Sequence, residues 1–418
     1  MRRRSFVGLS TAAIMMSGAF AIAGRSARAQ SAAGNEERTA KWLQTFDSHG
    51  NHRTATAGDT ASAQWLLAEA KAFGVEASLE EFPLNRVDVQ AAYVVIGDRR
   101  IEGVPMHDAG FTGPDGVTGT IGPLGSDADI ALIESEPYTP SQPGLELTKQ
   151  VADARTSKHK AIVILTRGAH AGLYLLNARN FRDPSGPPML QVSSVETEWL
   201  KTQAAKRATA TVLAQVSRVS TTATNVVARI PGSNPKLAPI GVMGPRSAWW
   251  QSVTEQGSRM VCLLETMRTV AAGKPARDVH FAALSGHELG TLGIDFYVKP
   301  RAKMVGEALV WMFFGSDIGT PGQPHVLHAS DANLQKWAQD FLGSEGLVPD
   351  QIAQTTSLAR GEAGYLQRGG GKFVTLAGAS HAYHNINDRW PESVDVKLLS
   401  RYARAIAGGV LQLSKTTA

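Results

Sequence analysis

Two neighbouring ionisable residues, His287 and Glu288, follow an apolar stretch that is typical of a buried strand and precede a helix-like stretch. An imidazole beside a carboxylate at a strand–helix junction can supply a proton-transfer group and a metal ligand to one cleft. The pair does not open an HExxH zinc helix, because position 291 is a threonine. GxSxG, P-loop and GxGxxG patterns are absent from the sequence, so the main signals of serine hydrolases, P-loop proteins and dinucleotide-binding proteins are missing.

Two other loops carry polar groups that a plain connection would not need. One contains Arg246, Ser247 and Trp249, and a later one contains His384; each follows an apolar, strand-like stretch. Because the carboxyl ends of parallel strands meet at one edge of a sheet, we expect these loops to converge with the His-Glu pair in one pocket. A guanidinium can bind a carboxylate through two parallel hydrogen bonds, so Arg246, Ser247 and Trp249 are candidate substrate-binding residues. A tryptophan at this position is equally typical of the core.

Alternating strand and helix patterns after residue 225 must position these loops. The pattern predicts an α/β fold with a mixed, largely parallel sheet covered by helices on both faces. The strand-like stretches are 226–230, 239–243, 279–284, 308–314 and 373–376, and the helix-like stretches are 257–271, 289–298, 332–342 and 394–413.

Earlier in the chain, residues 36–74 predict two helices and residues 82–89 a strand. Residues 90–217 differ, because short apolar stretches alternate there with loops rich in glycine and proline. That texture predicts a β-rich inserted domain. We therefore divide the chain into residues 1–29, 30–89, 90–217 and 218–418, of which the second and fourth form one α/β domain.

Residues 1–29 have the pattern of an export signal. Three arginines at positions 2–4 precede the apolar stretch 9–23, and Ala27-Arg28-Ala29 fits a small-x-small cleavage site. The arginine pair followed by Ser5 and Phe6 also fits a twin-arginine signal. We expect a mature protein that begins near Gln30 and is periplasmic or secreted.

Net charge argues against two classes of partner. The signal segment contains five arginines and no acidic residue, which accounts for the whole formal charge of +5. The remaining chain is formally neutral, so we expect neither nucleic acid nor a membrane surface as a partner. Its single cysteine, Cys262, allows no internal disulfide.

Several stretches resemble the zinc aminopeptidase and glutamate carboxypeptidase family. Residues 225–232 resemble the strand that opens the catalytic domain of that family, and residues 264–293 resemble its helix, its next strand and its Glu-Glu-Leu-Gly turn. Residues 383–388 resemble its closing His-Thr-x-x-Asp element. Residues 53–58 and the β-rich insertion resemble the amino-terminal part and the protease-associated domain of its aminopeptidase Y-like members. The resemblance implies the zinc exopeptidase fold and hydrolysis of an amide or peptide bond in a small substrate.

The resemblance also implies a depleted metal site. The family's ligand Glu and closing ligand His are retained as Glu288 and His384, with Glu255 as a displaced candidate for a third ligand. Zinc requires three or four protein ligands, so we expect one ion at most. By resemblance, the remaining family positions fall on residues of other types: Pro245 and Ser247 for the His-x-Asp pair, Thr254 for the bridging Asp, His287 for the general-base Glu, and Gly315 or Ser316, close to Asp317, for the last ligand Asp.

Three functions remain open from the sequence. One zinc ion on Glu255, Glu288 and His384 could activate water while His287 moves the proton. A metal-free hydrolase or lyase could use His287 as the base, with Glu288 orienting it and Arg246 and Ser247 contacting a small-molecule or peptide substrate. The third possibility is a binding protein that kept the cleft and lost the chemistry.

Overall fold

The computed structural model describes residues 33–137 and 145–417, so the predicted signal segment lies outside the described residues. Helices α1 to α10 span 33–48, Ala57–Ala72, Leu145–Arg155, Thr197–Ala205, Ser258–Gly273, Leu292–Val298, Ala302–Glu307, Ala332–Gly343, Ala363–Arg368 and Val396–Ser414. Strands β1 to β13 span Glu76–Ile96, Arg99–Pro105, Val117–Pro123, Ile130–Ser135, Ala161–Thr166, Met189–Ser193, Thr209–Ile230, Ile240–Pro245, Val279–Leu284, Val310–Phe314, Val326–Ala329, Gln351–Ile352 and Phe373–Ala377.

All the strands belong to one mixed sheet with the order β1-β2-β6-β5-β4-β3-β7-β9-β8-β10-β13-β11-β12. Its carboxyl-terminal half contains the parallel neighbours β9, β8, β10 and β13, flanked by antiparallel β7 and β11. Helices α5 and α10 cover one face of this half, and α6, α7 and α9 cover the other. The predicted α/β fold, with a largely parallel sheet covered by helices on both faces, is confirmed.

The two longest strands connect the carboxyl-terminal half of the sheet to the β-rich segment. β1 and β7 pair antiparallel from Glu76 opposite Arg229 to Ile96 opposite Ala210, with a register shift between Val89 and Ala91. The other ends of these strands pair with β2 and β3, which leads through β4, β5 and β6 to a second small core. The boundary predicted at residue 90 therefore falls at an irregularity inside a continuous strand, and the separate folding of the insertion stays a prediction.

The core beneath the site is apolar and tightly packed. Met260 and Leu264 of α5 and Ile406 of α10 are buried against Val242 and Met312 of the sheet. Burying an apolar side chain of this size contributes roughly 1.5–3 kcal/mol to folding. This packing holds the strands that carry the candidate site. Within the described residues, no helix has the length and apolar character needed to span a membrane.

One predicted helix begins later than expected. The stretch predicted as helix from residue 289 becomes helical only at Leu292, because residues 285–291 form a compact turn. Gly286 and Gly290 adopt φ angles of +85° and +74°, which a glycine reaches without steric cost. The Leu292 N–H donates to the Gly286 carbonyl at 2.9 Å and closes the turn. His287 and Glu288 therefore lie on a turn rather than on a helix face, and their side chains are directed to different neighbours.

Candidate active site

Four loops meet at one edge of the sheet. The parallel strands β8, β9, β10 and β13 end side by side, and catalytic groups in such sheets lie beyond the carboxyl ends. The loops that follow these strands carry Ser247, His287, Asp317 and His384, respectively. All four residues are buried.

His287 lies between two carboxylates. Its Nδ1 is 2.7 Å from Oε1 of Glu362, and its Nε2 is 3.8 Å from Oε1 of Glu255. Because a carboxylate accepts, Nδ1 carries a proton, while Nε2 is buried and has no hydrogen-bond partner. Burial by itself lowers the pKa of His287, but the attraction of Glu362, with a smaller contribution from Glu255, outweighs burial and raises it. This is the arrangement of an imidazole base whose orientation is set by a carboxylate.

Glu255 lies in the π-helical turn Val253–Gly257 that precedes α5, and such turns are frequent at functional sites. Its Oε1 is 3.4 Å from Nε2 of His384, and its Oε2 is buried without a partner. Burial by itself raises the pKa of Glu255, but the positive charge of His384, and then those of His287 and Arg259, lower it to about 2. Glu255 is therefore an ionised carboxylate between two imidazoles.

His384 is held by hydrogen bonds to Leu175, which lies in the inserted region. Its Nδ1–H donates to the Leu175 carbonyl at 2.6 Å, and the Leu175 N–H donates to the His384 carbonyl at 3.2 Å. The residue has a φ of +61°, an uncommon conformation that costs a side-chain-bearing residue free energy. Its Nε2 is buried and forms no hydrogen bond. The strained backbone and the Leu175 contacts together point this nitrogen at Glu255.

Glu288 is directed away from these imidazoles. Its Oε1 accepts from the Thr54 backbone N–H at 2.7 Å, and its Oε2 accepts from the Ser247 hydroxyl at 2.8 Å. Burial raises the pKa of Glu288, and the hydrogen bonds from Thr54 and Ser247 offset part of that rise. Both carboxylate oxygens are therefore committed to hydrogen bonds with the protein, and Glu288 neither orients His287 nor approaches His384.

Arg246 is used inside the protein rather than in a cleft. Its side chain is fully buried, and Nη1 donates to Oδ1 and to the backbone carbonyl of Asp59, both at 2.6 Å. Nη1 also approaches the Ser62 hydroxyl at 2.8 Å, and Nη2 donates to the Thr224 carbonyl. Asp59 in turn accepts from Ser285 at 2.9 Å. The guanidinium expected to bind substrate thus connects α2 to the sheet as half of a buried ion pair.

Ser247 and Trp249 are also committed to internal contacts. The Ser247 hydroxyl, besides donating to Glu288, accepts from the His287 backbone N–H at 3.0 Å. Trp249 is 4% exposed, and its indole N–H donates to the Asn177 side chain at 3.1 Å. Ser247 therefore stabilises the turn that carries His287 and Glu288. Trp249 is a core residue that packs beneath the inserted segment.

Two further buried carboxyl groups, those of Asp388 and Asp317, belong to the same site. Oδ1 of Asp388 accepts from the backbone N–H and the hydroxyl of Thr254 at 2.8 and 2.7 Å, and Oδ2 accepts from the Glu255 N–H at 3.0 Å. Burial raises the pKa of Asp388 to about 6. Asp317 is different, because both its carboxylate oxygens are buried without a partner. Burial, with added repulsion from Asp388 and Glu255, raises the pKa of Asp317 well above its ordinary value.

We expect Asp317→Asn to stabilise the protein at neutral pH. A group whose pKa is raised on folding binds its proton more tightly in the folded state, so its stabilising contribution is complete below pH ~4 and is lost as pH rises through the folded pKa. Asparagine removes that loss and tolerates the φ of +62° at this position. The free energy of unfolding in urea should rise by roughly 1–3 kcal/mol at pH 7, and the gain should shrink towards pH 4. The exposed Asp115→Asn is the control, and a pH-independent difference would contradict this account of Asp317.

Sequence reasoning missed two residues of the site, Glu362 and Arg259. Glu362 precedes the short helix α9 and is surrounded in sequence by residues typical of a loop, so no local signal distinguished it. Arg259 did carry a signal, since it stands four residues after Glu255 at the start of the otherwise apolar stretch Met260–Leu264. A charged residue in a buried helix face requires a partner or a function.

The residues present do not fit even the single zinc ion that the resemblance left open. Zinc needs three or four protein ligands, and Glu288 of the expected set with Glu255 and His384 is hydrogen-bonded elsewhere. Across residues 33–137 and 145–417, no three side chains of the His, Cys, Asp and Glu types are arranged to hold a metal ion. The side chains that do approach one another, the imidazoles of His287 and His384 and the carboxylate of Glu255, are arranged as ion pairs.

The fold is that of the zinc aminopeptidases. A zinc aminopeptidase from Bacillus subtilis has a similar structure, with a TM-score of 0.75 at 16% identity over 92% of this chain and 96% of that one. A peptidase M28 precursor from Shewanella amazonensis gives 0.74 at 15% identity over 93% and 97%. An aminopeptidase from Aneurinibacillus sp. strain AM-1 gives 0.68 at 14% identity over 91% and 94%.

A family profile matches the carboxyl-terminal part of the sequence. Residues 225–410 match the profile of peptidase family M28. No curated protein matches the sequence. The identities with the solved structures are low, so they show a shared fold, and the activity of this chain has to be argued from its own site.

Proposed function

We propose that the protein is a hydrolase that cleaves an amide or related bond of a small molecule or short peptide, with His287 as its general base. The observation that carries this proposal is the imidazole of His287, whose Nδ1 is bound to Glu362 and whose Nε2 is buried without a partner. A buried polar atom without a partner costs free energy, which a catalytic role accounts for. The M28 fold supports hydrolysis as the reaction class.

His287 is placed to move one proton from the attacking water molecule to the leaving nitrogen. Nε2 of His287 would take a proton from a water molecule as the water oxygen attacks the carbonyl carbon, and the imidazolium would then return that proton to the leaving nitrogen. Glu362 keeps the imidazole in the required tautomer and stabilises its charged form. Glu362 thus has the orienting role that the sequence analysis gave to Glu288.

A depleted metal site is part of the proposal. Glu288 retains its family position, but its hydrogen bonds to Thr54 and Ser247 support a structural role for it. The proposed proton transfer therefore uses no metal ion. As proposed from the signal pattern of residues 1–29, the substrate would be met outside the cytoplasm.

The test is turnover on a panel of dipeptides and N-acyl amides, with and without a chelator, together with the metal content of the purified mature protein. We expect turnover that a chelator leaves unchanged and less than one zinc ion per chain, because the expected ligand set is not assembled. Two zinc ions per chain, or activity abolished by the chelator, would contradict the proposal. No turnover on any member of the panel would favour the binding-protein alternative.

A further inference from the structure

Arg259, the second residue of α5, is a buried cation with two nitrogen atoms that form no hydrogen bond with the protein. Its side chain is 3% exposed, and Nε and Nη1 have no hydrogen-bond partner among the described residues. The residue lies beside the end of β8, since a Cβ atom added to Gly244 would be 3.5 Å from Cβ of Arg259. It therefore lies at the edge of the sheet where the four loops of the candidate site meet.

The charge of Arg259 acts on the whole cluster. It lowers the pKa of Glu255, Glu362 and Asp317 and opposes protonation of His287. None of these carboxylates forms an ion pair with it, although Glu255 and Glu362 each pair with an imidazole. Arg259 therefore remains as a positive charge without a counter-charge in contact.

Arg246 is a buried arginine with a structural role, and its guanidinium nitrogen atoms are paired differently from those of Arg259. Arg246 is equally buried and its Nε also has no partner, but both of its Nη atoms donate, to Asp59, Ser62 and Thr224. Removing a guanidinium from water is costly unless its donors find acceptors. Arg259 carries this cost at the same edge of the sheet as His287, and a ligand that supplies an anionic oxygen would offset it.

We infer that Arg259 is the binding group for a carboxylate of the substrate, so that the substrate class is an N-acyl amino acid or a peptide with its free carboxylate close to the cleaved bond. The inference rests on the proposed function. It follows from where the two groups lie, because Arg259 is beside the end of β8, His287 follows the neighbouring strand β9, and each has buried nitrogen atoms without a partner. A guanidinium binds a carboxylate through charge-assisted hydrogen bonds, which are shorter and stronger than neutral ones.

The experiment measures binding of N-acetylglycine and of its uncharged counterpart, N-acetylglycinamide, to the mature protein by calorimetry. We expect the acid to bind at least tenfold more tightly than the amide. Arg259→Met should abolish this preference, and Arg259→Lys should weaken acid binding about tenfold, since a lysine keeps the charge but loses the planar set of donors. Arg268→Met is the matched control, because Arg268 lies on the same helix and pairs with Glu265 at a partly exposed position.

Equal binding of acid and amide by the wild-type protein would overturn the inference, as would unchanged acid binding by either Arg259 variant. The first comparison needs no variant and remains decisive if Arg259→Met does not fold. Acid-selective binding without turnover of any amide would leave this inference standing and remove the proposed function. Turnover without acid selectivity would remove this inference and leave the proposed function standing.

Discussion

Replacing His287 with alanine is expected to lower kcat on the best substrate of the amide panel by about 10²–10⁴-fold, the range that a positioned general acid–base group contributes. The backbone N–H of residue 287 still donates to Ser247 in this variant, so the turn should keep its geometry. His381→Ala is the matched control, because His381 is an exposed imidazole on the loop that carries His384. A loss of activity below tenfold in His287→Ala would remove His287 from the mechanism.

Glu362→Gln separates the orienting role of Glu362 from a structural one. Glutamine can still accept from Nδ1 of His287, but it removes the charge that raises the pKa of the imidazole. A general base must be neutral, so wild-type activity should increase as pH rises through this raised pKa. In Glu362→Gln the acidic limb of the pH–rate profile should therefore move to lower pH, together with a fall in kcat. An unchanged profile would show that Glu362 does not act on His287.

Replacing Arg246 with methionine is expected to lower the free energy of unfolding by about 3–5 kcal/mol, as found when one partner of a buried ion pair is removed. Methionine has a similar length but leaves the carboxylate of Asp59 buried, with only Ala55 and Ser285 as donors. Adding Asp59→Leu should recover a large part of the loss, because the second buried charge is then also removed. Urea unfolding of the mature protein measures both changes.

The partly exposed Arg268→Met should cost less than about 1 kcal/mol in the same measurement. The alternative from sequence, in which Arg246 binds substrate, predicts the opposite pattern. KM would then rise while stability stayed near the wild-type value. That outcome would show that the buried pair with Asp59 is not the main role of Arg246.

The edge of the sheet at which the site forms was predictable from local sequence. The apolar stretches before Arg246, His287 and His384 indicated parallel strands, and loops after such strands gather at one edge for geometric reasons. The departure from the family pattern at Thr254 and His287 was implied by the resemblance, and the depleted metal site inferred from it stays a prediction. Residue type decides which side chains are able to accept a proton or bind a metal, and no fold can add a carboxylate where the chain has a threonine.

The pairing of those side chains was not predictable from local sequence. His287 is paired with Glu362, 75 positions away, rather than with its neighbour Glu288, and Glu288 faces Thr54, 234 positions away. Adjacent residues on a turn with two left-handed glycines point in different directions, so adjacency in sequence did not predict contact. Arg246 was assigned to substrate for the same reason, because its partner Asp59 lies on α2, far away in the chain.

The sequence by itself determined the α/β fold and the inventory of ionisable groups, because these depend on hydrophobic periodicity and residue type. Only the tertiary structure decided which groups are partners. It left the Nε2 atoms of His287 and His384 and the donors of Arg259 unpaired, while it satisfied Glu288. The physical reason is that burial makes each polar group depend on its nearest acceptor or donor, and those neighbours are supplied by distant segments, among them the inserted region at Leu175.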